Sequence, residues 1–409
     1  MIRVWTDNSA GILDRHGQRG TVFVYEPGSA PQRAVSVTMP VRLESWNTVL
    51  GVAPIFEMNL PEGALRERLR LAFAKATGTF DDLDLLSIVG RSQLGRVRFT
   101  GMEERLDEGV PFQSIDEILS SRRGGELYRY LIEKFATYSG ISGVQPKFLV
   151  RDERSVVLDT GSKRTLSPSF RGATHIVKFW DATEFPQLAA NEFFCLKVAE
   201  RCGLDVPPHQ IAADGSALVM ERFDLRGDGT YRGFEDFCVL NARRTDEKYR
   251  GSYETNILKR FQQFANSSTV LEESLQLFTL IALNCAIRNG DAHLKNFGIV
   301  YDDVLGEAHL APVYDLVTTT VYLPQDRMAL TLNGTNQWPT AKDLIRFGEG
   351  RSLGTRQKLA EILERIGDAI SETAMELRAH GEEHPEFAAV AARMQEQWNV
   401  GRESLAFRN

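Results

Sequence analysis

The stretch "NCAIRNGDAHLKNFGIVY", residues 284–301, decides how this chain is read. An apolar helical run ends at Arg288-Asn289-Gly290. Asp291, His293, Lys295 and Asn296 then crowd into one short loop, and a strand-like "FGIVY" follows. Upstream, Thr269 and Glu272 stand at capping-box spacing and give the helix a start. Leu271, Leu275, Phe278, Ala282 and Cys285 form one apolar stripe, widened by Val270, Leu277 and Ile281, so the helix is expected to be buried. A carboxylate, an imidazole, an amine and an amide at the end of a rigid, buried element are well placed to hold reacting groups. The competing reading is a polar helix-to-strand turn in which Asp291 and Asn296 bond backbone.

Downstream, "FGIVY", "DDVLGE" and "AHLAPVYD" read as a hairpin whose second strand ends at Asp315 and returns it beside Asn296. Two hard oxygen donors side by side suit Mg²⁺, which keeps several waters and shares its shell with substrate phosphates. Asp291, five residues before Asn296, is then left as a separate base. One Asp for the substrate hydroxyl, with one Asn and one Asp for the metal, is the division of labour in kinases. A strand-end cap is the alternative role for Asp315.

Three more stretches bear on that reading. "HIVKFW", residues 175–180, sets Lys178 in the middle of an apolar strand, where a lysine is costly unless paired. It either snorkels from an edge strand or reaches nucleotide phosphates, with Glu192 of "NEFFCLKVAE" as a helix-borne partner. "VMERFD", residues 219–224, closes a hairpin that turns at Asp214-Gly215. It would join two lobes, its backbone meeting an adenine edge and Phe223 packing on the ring. "GISGVQPK", residues 140–147, has glycines that let a loop turn tightly and bring N–H groups to phosphate. It is neither GxGxxG nor a P-loop, and a plain turn is its alternative. Each stretch is modest alone. Their order is that of a bilobal kinase: glycine loop, strand lysine, helix glutamate, hinge, base loop, metal aspartate.

The chain has 409 residues, enough for two or three domains or subdomains. Hydrophobic residues make up 43% and charged residues 25%, an ordinary globular composition. A net charge of -7 argues against non-specific nucleic-acid binding by the whole chain. Cys195, Cys202, Cys238 and Cys285 form no CxxC pair, and Cys195, Cys202 and Cys285 sit within apolar helical patterns, where small buried hydrophobes are the expected role. No run is apolar and long enough to span a bilayer, and a reducing, cytoplasmic location is expected. Residues 1 to about 60 read as β-rich, with "IRVWT", "TVFVYE" and "AVSVTMPV" as strands. "LPEGALRERLRLAFAKATG" reads as a helix that starts near Pro61 and stops at Gly78. "SSRRGGE", residues 120–126, reads as a linker or flexible loop, and "SVVLDT" as a strand. "FPQLAANEFFCLKVAERCGL" reads as a helix closed by Gly203, and "TRQKLAEILERIGDAISETAMELRAHG" as a long helix.

Taken together, "ISGVQPK", "HIVKFW", "NEFFCLKVAERCGLDVPP", "MERFD", "NGDAHLKNFGI" and "PVYDLV" resemble the HipA-type serine/threonine kinases, toxins of bacterial toxin–antitoxin pairs. "PIFEMNLPEGALRERL" resembles that family's N-terminal subdomain, so the likeness covers most of the chain. The resemblance implies an α+β fold: an N-terminal β-rich subdomain over 1–115, a kinase N-lobe over 116–225 and a helical C-lobe over 226–409. It implies ATP and Mg²⁺ as cofactors, Asp291 as catalytic base, and Asn296 and Asp315 as metal ligands. Ser142, Gly143, Val144, Gln145, Pro146 and Lys147 would form the phosphate loop, and Lys178 would hold the phosphates. Glu221, Arg222 and Phe223 would hold the adenine, with His293, Lys295 and Tyr314 near the nucleotide. In the family a serine of the glycine loop can be autophosphorylated. Here Gly140 stands where one family serine would be, and Ser142 is the hydroxyl within the loop. The implied partners are a helix-turn-helix antitoxin resembling HipB, operator DNA through that complex, and a protein substrate such as an aminoacyl-tRNA synthetase. A small-molecule kinase of similar fold and a catalytically silent binding module are the alternatives.

Overall fold

β1 (Ile2–Trp5) buries Ile2 and Val4 and turns Arg3 and Trp5 outward, the period-2 pattern of a half-buried strand. It pairs antiparallel with β2 (Ser9–His16) and β5 (Arg98–Gly101); β3 (Gly20–Tyr25) and β4 (Trp46–Thr48) extend the sheet to the order β4-β3-β2-β1-β5. Its core is aromatic. Phe23 meets Tyr25 at 4.7 Å and Phe56 of α1 (Pro54–Glu57) at 5.2 Å, and Phe56 meets Phe99 at 5.6 Å, all edge-on. α2 (Gly63–Thr77) and α3 (Asp82–Val89) follow, the latter opened by an Asp81/Asp84 capping box. The computed structural model describes residues 1–77, 80–152, 156–157, 163–164, 170–180 and 185–406. The expected stop at Gly78 lies outside them.

The expected strand "AVSVTMPV" does not form. Val35 donates its N–H to the Tyr25 hydroxyl at 3.0 Å, Tyr25 donates to the Met39 carbonyl, and Met39 closes a turn onto Ser36 at 3.1 Å. Side chains, not a ladder, satisfy this segment's backbone. The linker expected at 120–126 forms but is shorter, spanning 120–123. α4 (Ile115–Leu119) ends just before it, and α5 (Gly124–Phe135) already includes Gly124, Gly125 and Glu126. Glu126 sits in the first turn, where the helix dipole favours a carboxylate.

These elements belong to the first of two compact units, made of Met1–Phe179, Val219–Thr245 and Val300–Ala308. It also holds β6 (Lys147–Val150), the short pair β7 (Val156–Val157) and β8 (Lys163–Arg164), and β9 (His175–Phe179). Of the expected strand "SVVLDT", Val156 and Val157 form β7, and Ser155, Leu158, Asp159 and Thr160 lie outside the described residues. β9 is an interior strand, with β6 on one side and β11 (Ala217–Glu221) on the other. β12 (Gly233–Asp236) and α7 (Phe237–Leu240) complete this unit.

The second unit, Trp180–Leu218, Asp246–Ile299 and His309–Asn409, is mainly helical. α6 (Leu188–Arg201) stops at Gly203, whose φ of +78° suits a helix terminus. β10 (His209–Ile211) leads into β11 through a turn with Gly215 at φ +67°. α8 (Arg260–Phe264), α9 (Val270–Ala286), β13 (Gly298–Tyr301), β14 (Ala308–Leu310), α10 (Ala341–Gly350), α11 (Arg356–Glu383) and α12 (Pro385–Leu405) follow, with β13 and β14 shared by chain between the units. Cys195, Cys202 and Cys285 are buried as expected, Cys238 is buried too, and none of the four is bridged. Among the described residues no helix is long and apolar enough to cross a membrane.

The start of α9 departs from expectation. Thr269 makes no cap bond to backbone; its hydroxyl donates to Glu273 at 2.7 Å. The Glu273 carboxylate also receives the Leu310 N–H at 2.7 Å and faces His309 Nδ1 at 2.8 Å. Leu271, placed in the apolar stripe, is 55% exposed, so the buried face begins only at Glu273. The second hairpin strand ends at Leu310, so Asp315 is not a strand-end residue.

A buried acid pins the "AVSVTMPV" segment within the first unit. Glu235 of β12 accepts from Ser36 Oγ at 2.6 Å, Val37 N–H at 2.8 Å and Tyr301 Oη at 2.7 Å. Burial outweighs these donors and pushes its carboxyl from 4.5 up to about 7. A folded-state value above the unfolded one means stability is fully present below about pH 4.5, declines as pH rises, and levels off above about 7. Urea melts across that window should show this slope in the wild type and a flatter profile in Glu235→Gln, which can keep the Ser36 bond with the hydroxyl reversed. Parallel profiles would show that Glu235 titrates alike in both states.

Candidate functional site

α9 ends inside the protein: residues 277–290 are all buried. Its last peptide groups must therefore find partners without water. Ile287 and Arg288 reach the Leu283 and Cys285 carbonyls at 2.9 and 3.3 Å, and Asn289 ties down the next turn. Its N–H reaches the Asn284 carbonyl at 2.9 Å, its Nδ2 donates to Asn284 Oδ1 at 2.7 Å, and its Oδ1 accepts the Asp291 N–H at 3.1 Å. Gly290 donates to Thr319 Oγ1 at 2.7 Å, and that hydroxyl donates to Asp326 at 2.5 Å. A Cβ at position 290 would overlap the Asp326 carboxylate, so only glycine fits. Tyr253 Oη fixes the Ala292 carbonyl at 2.9 Å, and the Leu294 N–H reaches the Lys248 carbonyl at 3.1 Å.

The loop so held presents Asp291. Its side chain is 49% exposed, and Oδ1 accepts the Tyr249 hydroxyl at 2.7 Å. Desolvation raises its pKa; Tyr249 and Lys248 oppose the shift, while Asp315 and Asp326 add to it. His293 is buried, with Nε2 at 3.9 Å from Asp291 Oδ1 and its ring edge-on to Tyr249 at 5.0 Å. Asn296 Oδ1 accepts the His293 N–H at 3.1 Å and keeps a second lone pair. The Lys295 carbonyl accepts from Tyr314 Oη at 3.0 Å, which ties the Asp315 segment to the loop that carries Asn296.

Asp315 has φ +52°, left-handed backbone that costs a residue with a Cβ. α6 holds it there. The Asp315 N–H donates to Glu192 Oε1 at 3.1 Å. Asn191 clamps Thr318 from both sides, donating to its carbonyl at 3.1 Å and accepting its N–H at 2.8 Å. Trp398 of α12 donates to Thr318 Oγ1 at 2.8 Å. Glu192, expected as the partner of Lys178, thus has a bond to the Asp315 backbone. Asp291, His293, Asn296, Asp315 and Glu192 all belong to the second unit.

The remaining expected residues lie in the first unit. Lys178 is 3% exposed and, being on interior strand β9, does not snorkel from an edge. It lies directly opposite Lys147 of β6, itself 4% exposed. Two ammonium groups on paired positions repel, which favours an anion near both. Gly143 has φ +120°, and a Cβ there would run into the end of the Lys147 side chain. Ser142 donates to Glu62, just before α2, and the Pro146 carbonyl accepts the Phe179 N–H at 2.8 Å. Val144 is exposed, and the Gly63 backbone packs near it. Gln145 stands between Val144 and Pro146 in the same turn. Gly140 is packed tightly: a Cβ would lie 2.7 Å from both Gln93 Cβ and the Ser92 carbonyl. Ser139 is buried, donating to Phe135 and accepting from Leu149.

After Glu221 ends β11, Arg222 turns into the core. Its guanidinium makes two bonds to Asp224, at 2.9 and 2.6 Å, and one to the Gln93 carbonyl at 2.9 Å. That side chain is committed to structure. Phe223 packs edge-on against Phe234 at 5.1 Å. Sequence reasoning missed Glu62, Asn191, Tyr249, Thr319 and Asp326. None carries a local pattern, and each meets its partner through the fold.

The HipA-like C-terminal domain model matches residues 139–374, and the HipA N-terminal domain model matches residues 2–100. Two proteins of Sinorhizobium fredii are similar. "Putative kinase Y4mE" is 27% identical over 337 residues, 79% of this chain and 78% of that protein. "Putative kinase Y4dM" is 27% identical over 361 residues, 84% and 80% respectively. Among solved structures, HipA of Shewanella oneidensis MR-1, determined with HipB and its operator DNA, superposes with a TM-score of 0.64 at 20% identity. That likeness covers 98% of this chain and 97% of the other, and it carries the expected α+β fold.

The left-handed backbone at Asp315 gives a stability test separate from chemistry. Asp315→Gly should exceed Asp315→Ala by about 1–2 kcal/mol in urea melts, the cost of a Cβ in that conformation. Equal midpoints would show that the Glu192 and Asn191 bonds do not hold the backbone there.

Proposed function

We propose that this chain, which belongs to the HipA family, transfers the γ-phosphoryl group of ATP to a serine or threonine of a protein, as the cytoplasmic toxin of a toxin–antitoxin pair. The observation that carries the reading is the second unit's loop pair. A half-exposed carboxylate, Asp291, sits on a loop whose backbone is anchored throughout, five residues before Asn296, and the neighbouring Asp315 segment is tied to that loop. Asp291 would accept the proton of the substrate hydroxyl. Lys178, with Lys147 and the N–H groups of residues 142–147, would hold the phosphates; the backbone at Glu221–Phe223 would meet the adenine. Tyr314 ties the Asp315 segment to the loop that carries Asn296, within which His293 donates its N–H to Asn296; His293 and Tyr314 would lie near the nucleotide.

Asn296 and Asp315 are the residues that would hold Mg²⁺. One neutral and one anionic oxygen suit a hard cation that keeps waters and phosphate oxygens in its shell. Burial chiefly raises the pKa of Asp291, and the carboxylates of Asp315 and Asp326 add to it, a crowding that a bound cation would relieve. When bound, Mg²⁺ supplies neutralisation of phosphate charge. Ser142 would be the autophosphorylation site. It donates to Glu62, so a phosphoryl group there would face a carboxylate, which supports release of the loop after modification. The Shewanella HipA was solved with HipB and operator DNA. By that likeness, and with a net charge of -7, this chain would meet DNA through a basic helix-turn-helix partner. An aminoacyl-tRNA synthetase is the class of protein target we propose.

Labelled ATP with Mg²⁺ in a cell lysate, followed by mass spectrometry of labelled proteins, tests the activity. Asp291→Asn should still bind ATP and transfer phosphoryl about 10²- to 10⁴-fold more slowly. Transfer at the wild-type rate would remove Asp291 from the role of base. The wild-type rate should fall on the acid side with a limb above the ordinary aspartate value of about 3.9, since the base works deprotonated and its pKa is raised.

A gel-shift titration tests the partner. The chain alone should bind operator DNA weakly and the complex tightly, with residues 1–60 as the proposed docking region. Tight binding by the isolated chain would refute the assignment of DNA contacts to the partner.

A further inference from the structure

Tyr249 has no part in the reading above, yet its hydroxyl stands where that reading needs a substrate. It donates to Asp291 Oδ1 at 2.7 Å, the distance and direction required of an acceptor hydroxyl about to give up its proton to a base. The ring is 51% exposed and rests edge-on against His293 at 5.0 Å. The segment is held in place next door, where the Lys248 carbonyl accepts the Leu294 N–H at 3.1 Å. All of these groups belong to the second unit. Asp291 Oδ2 has no hydrogen-bond partner among the described residues, so the phenol is the one hydroxyl there that engages the base.

We propose that Tyr249 is a phosphoacceptor of this chain: its hydroxyl occupies the acceptor position at Asp291 and is phosphorylated within the same molecule. The inference rests on Asp291 being the base, as proposed above. In the step, the Tyr249 Oη–phosphorus bond forms as the bond from the γ-phosphorus to the β–γ bridging oxygen breaks. The Oη proton passes to Asp291, and ADP leaves with the electron pair. The product is a phosphate ester carrying roughly two negative charges beside Asp291, with Asp315 and Asp326 close enough to shift its titration. Repulsion then moves the ring off the base loop and leaves Asp291 open to another hydroxyl. Self-modification at Tyr249 therefore differs from modification at Ser142, which acts on the phosphate loop.

The test incubates the full chain with ATP and Mg²⁺ and maps phosphate by mass spectrometry. Phosphate should appear on Tyr249, stable to alkali as a phenol ester is, with a first-order rate constant that does not change on dilution of the chain. It should be lost in Asp291→Asn, and Tyr249→Phe should lose the alkali-stable signal while keeping phosphate on Ser142. Phosphate on Ser142 or on an added lysate protein, with none on Tyr249, overturns this inference and leaves the kinase reading intact. A Tyr249 signal whose rate constant rises with chain concentration overturns the intramolecular assignment. Absence of transfer to any residue overturns both.

Discussion

Burying the C-terminal end of α9 is the constraint on which the candidate site depends. A helix that ends in solvent leaves its last carbonyls to water; here that outlet is closed. Asn284 and Asn289 meet the need with a mutual amide bond and a shared backbone bond, and Gly290 is drawn onto Thr319. Once those groups are paired, Asp291 has little freedom in where its Cα goes. The Asp291 carboxylate is thereby positioned by the amides of its neighbours in a loop between a helix and a strand.

Negative charge gathers around the loop that follows α9. Asp291, Asp315 and Asp326 are close enough for the last two to raise the pKa of the first. Such a cluster holds its negative charge at a cost that falls when a cation or a proton donor arrives. Tyr249 is one donor already present. In the first unit the sign is reversed, with Lys147 and Lys178 opposite one another on β6 and β9. The basic pair sits on regular strands, whereas the three acidic residues sit in loops and turns.

Segments of the first unit that lie outside its N-terminal sheet also brace the candidate loops. Glu62 receives Ser142, Ser92 receives the Gly140 N–H, and the Gln93 carbonyl receives Arg222, so segments from the first hundred residues brace both the glycine loop and the proposed hinge. Gly95 donates to Asp224 at 2.6 Å, which adds the partner of Arg222 to the same set. The missing side chain at position 140 follows from this packing: Gln93 and Ser92 occupy the space a serine would need.

By itself the sequence determined which chemistries are available and in what chain order they come. Local pattern was enough for β1, β3, β9, α6, α9 and α11, for the turns at Gly203 and Gly215, and for the loop that follows α9, because periodicity and glycine conformation act over a few residues. It was not enough where partners are distant. "AVSVTMPV" has the composition of a strand, but Tyr25 and Glu235 took its backbone groups. Thr269 stood at cap spacing, but its hydroxyl went to Glu273, a carboxylate also claimed by Leu310. Only the tertiary structure decided that Asp315 takes left-handed backbone, that Glu192 accepts its N–H across 123 residues of chain, and that Tyr249 reaches Asp291 across 42. A hydrogen bond between groups so far apart depends on which faces the elements bury against one another, and that is set by the packing of the whole unit rather than by any window of sequence.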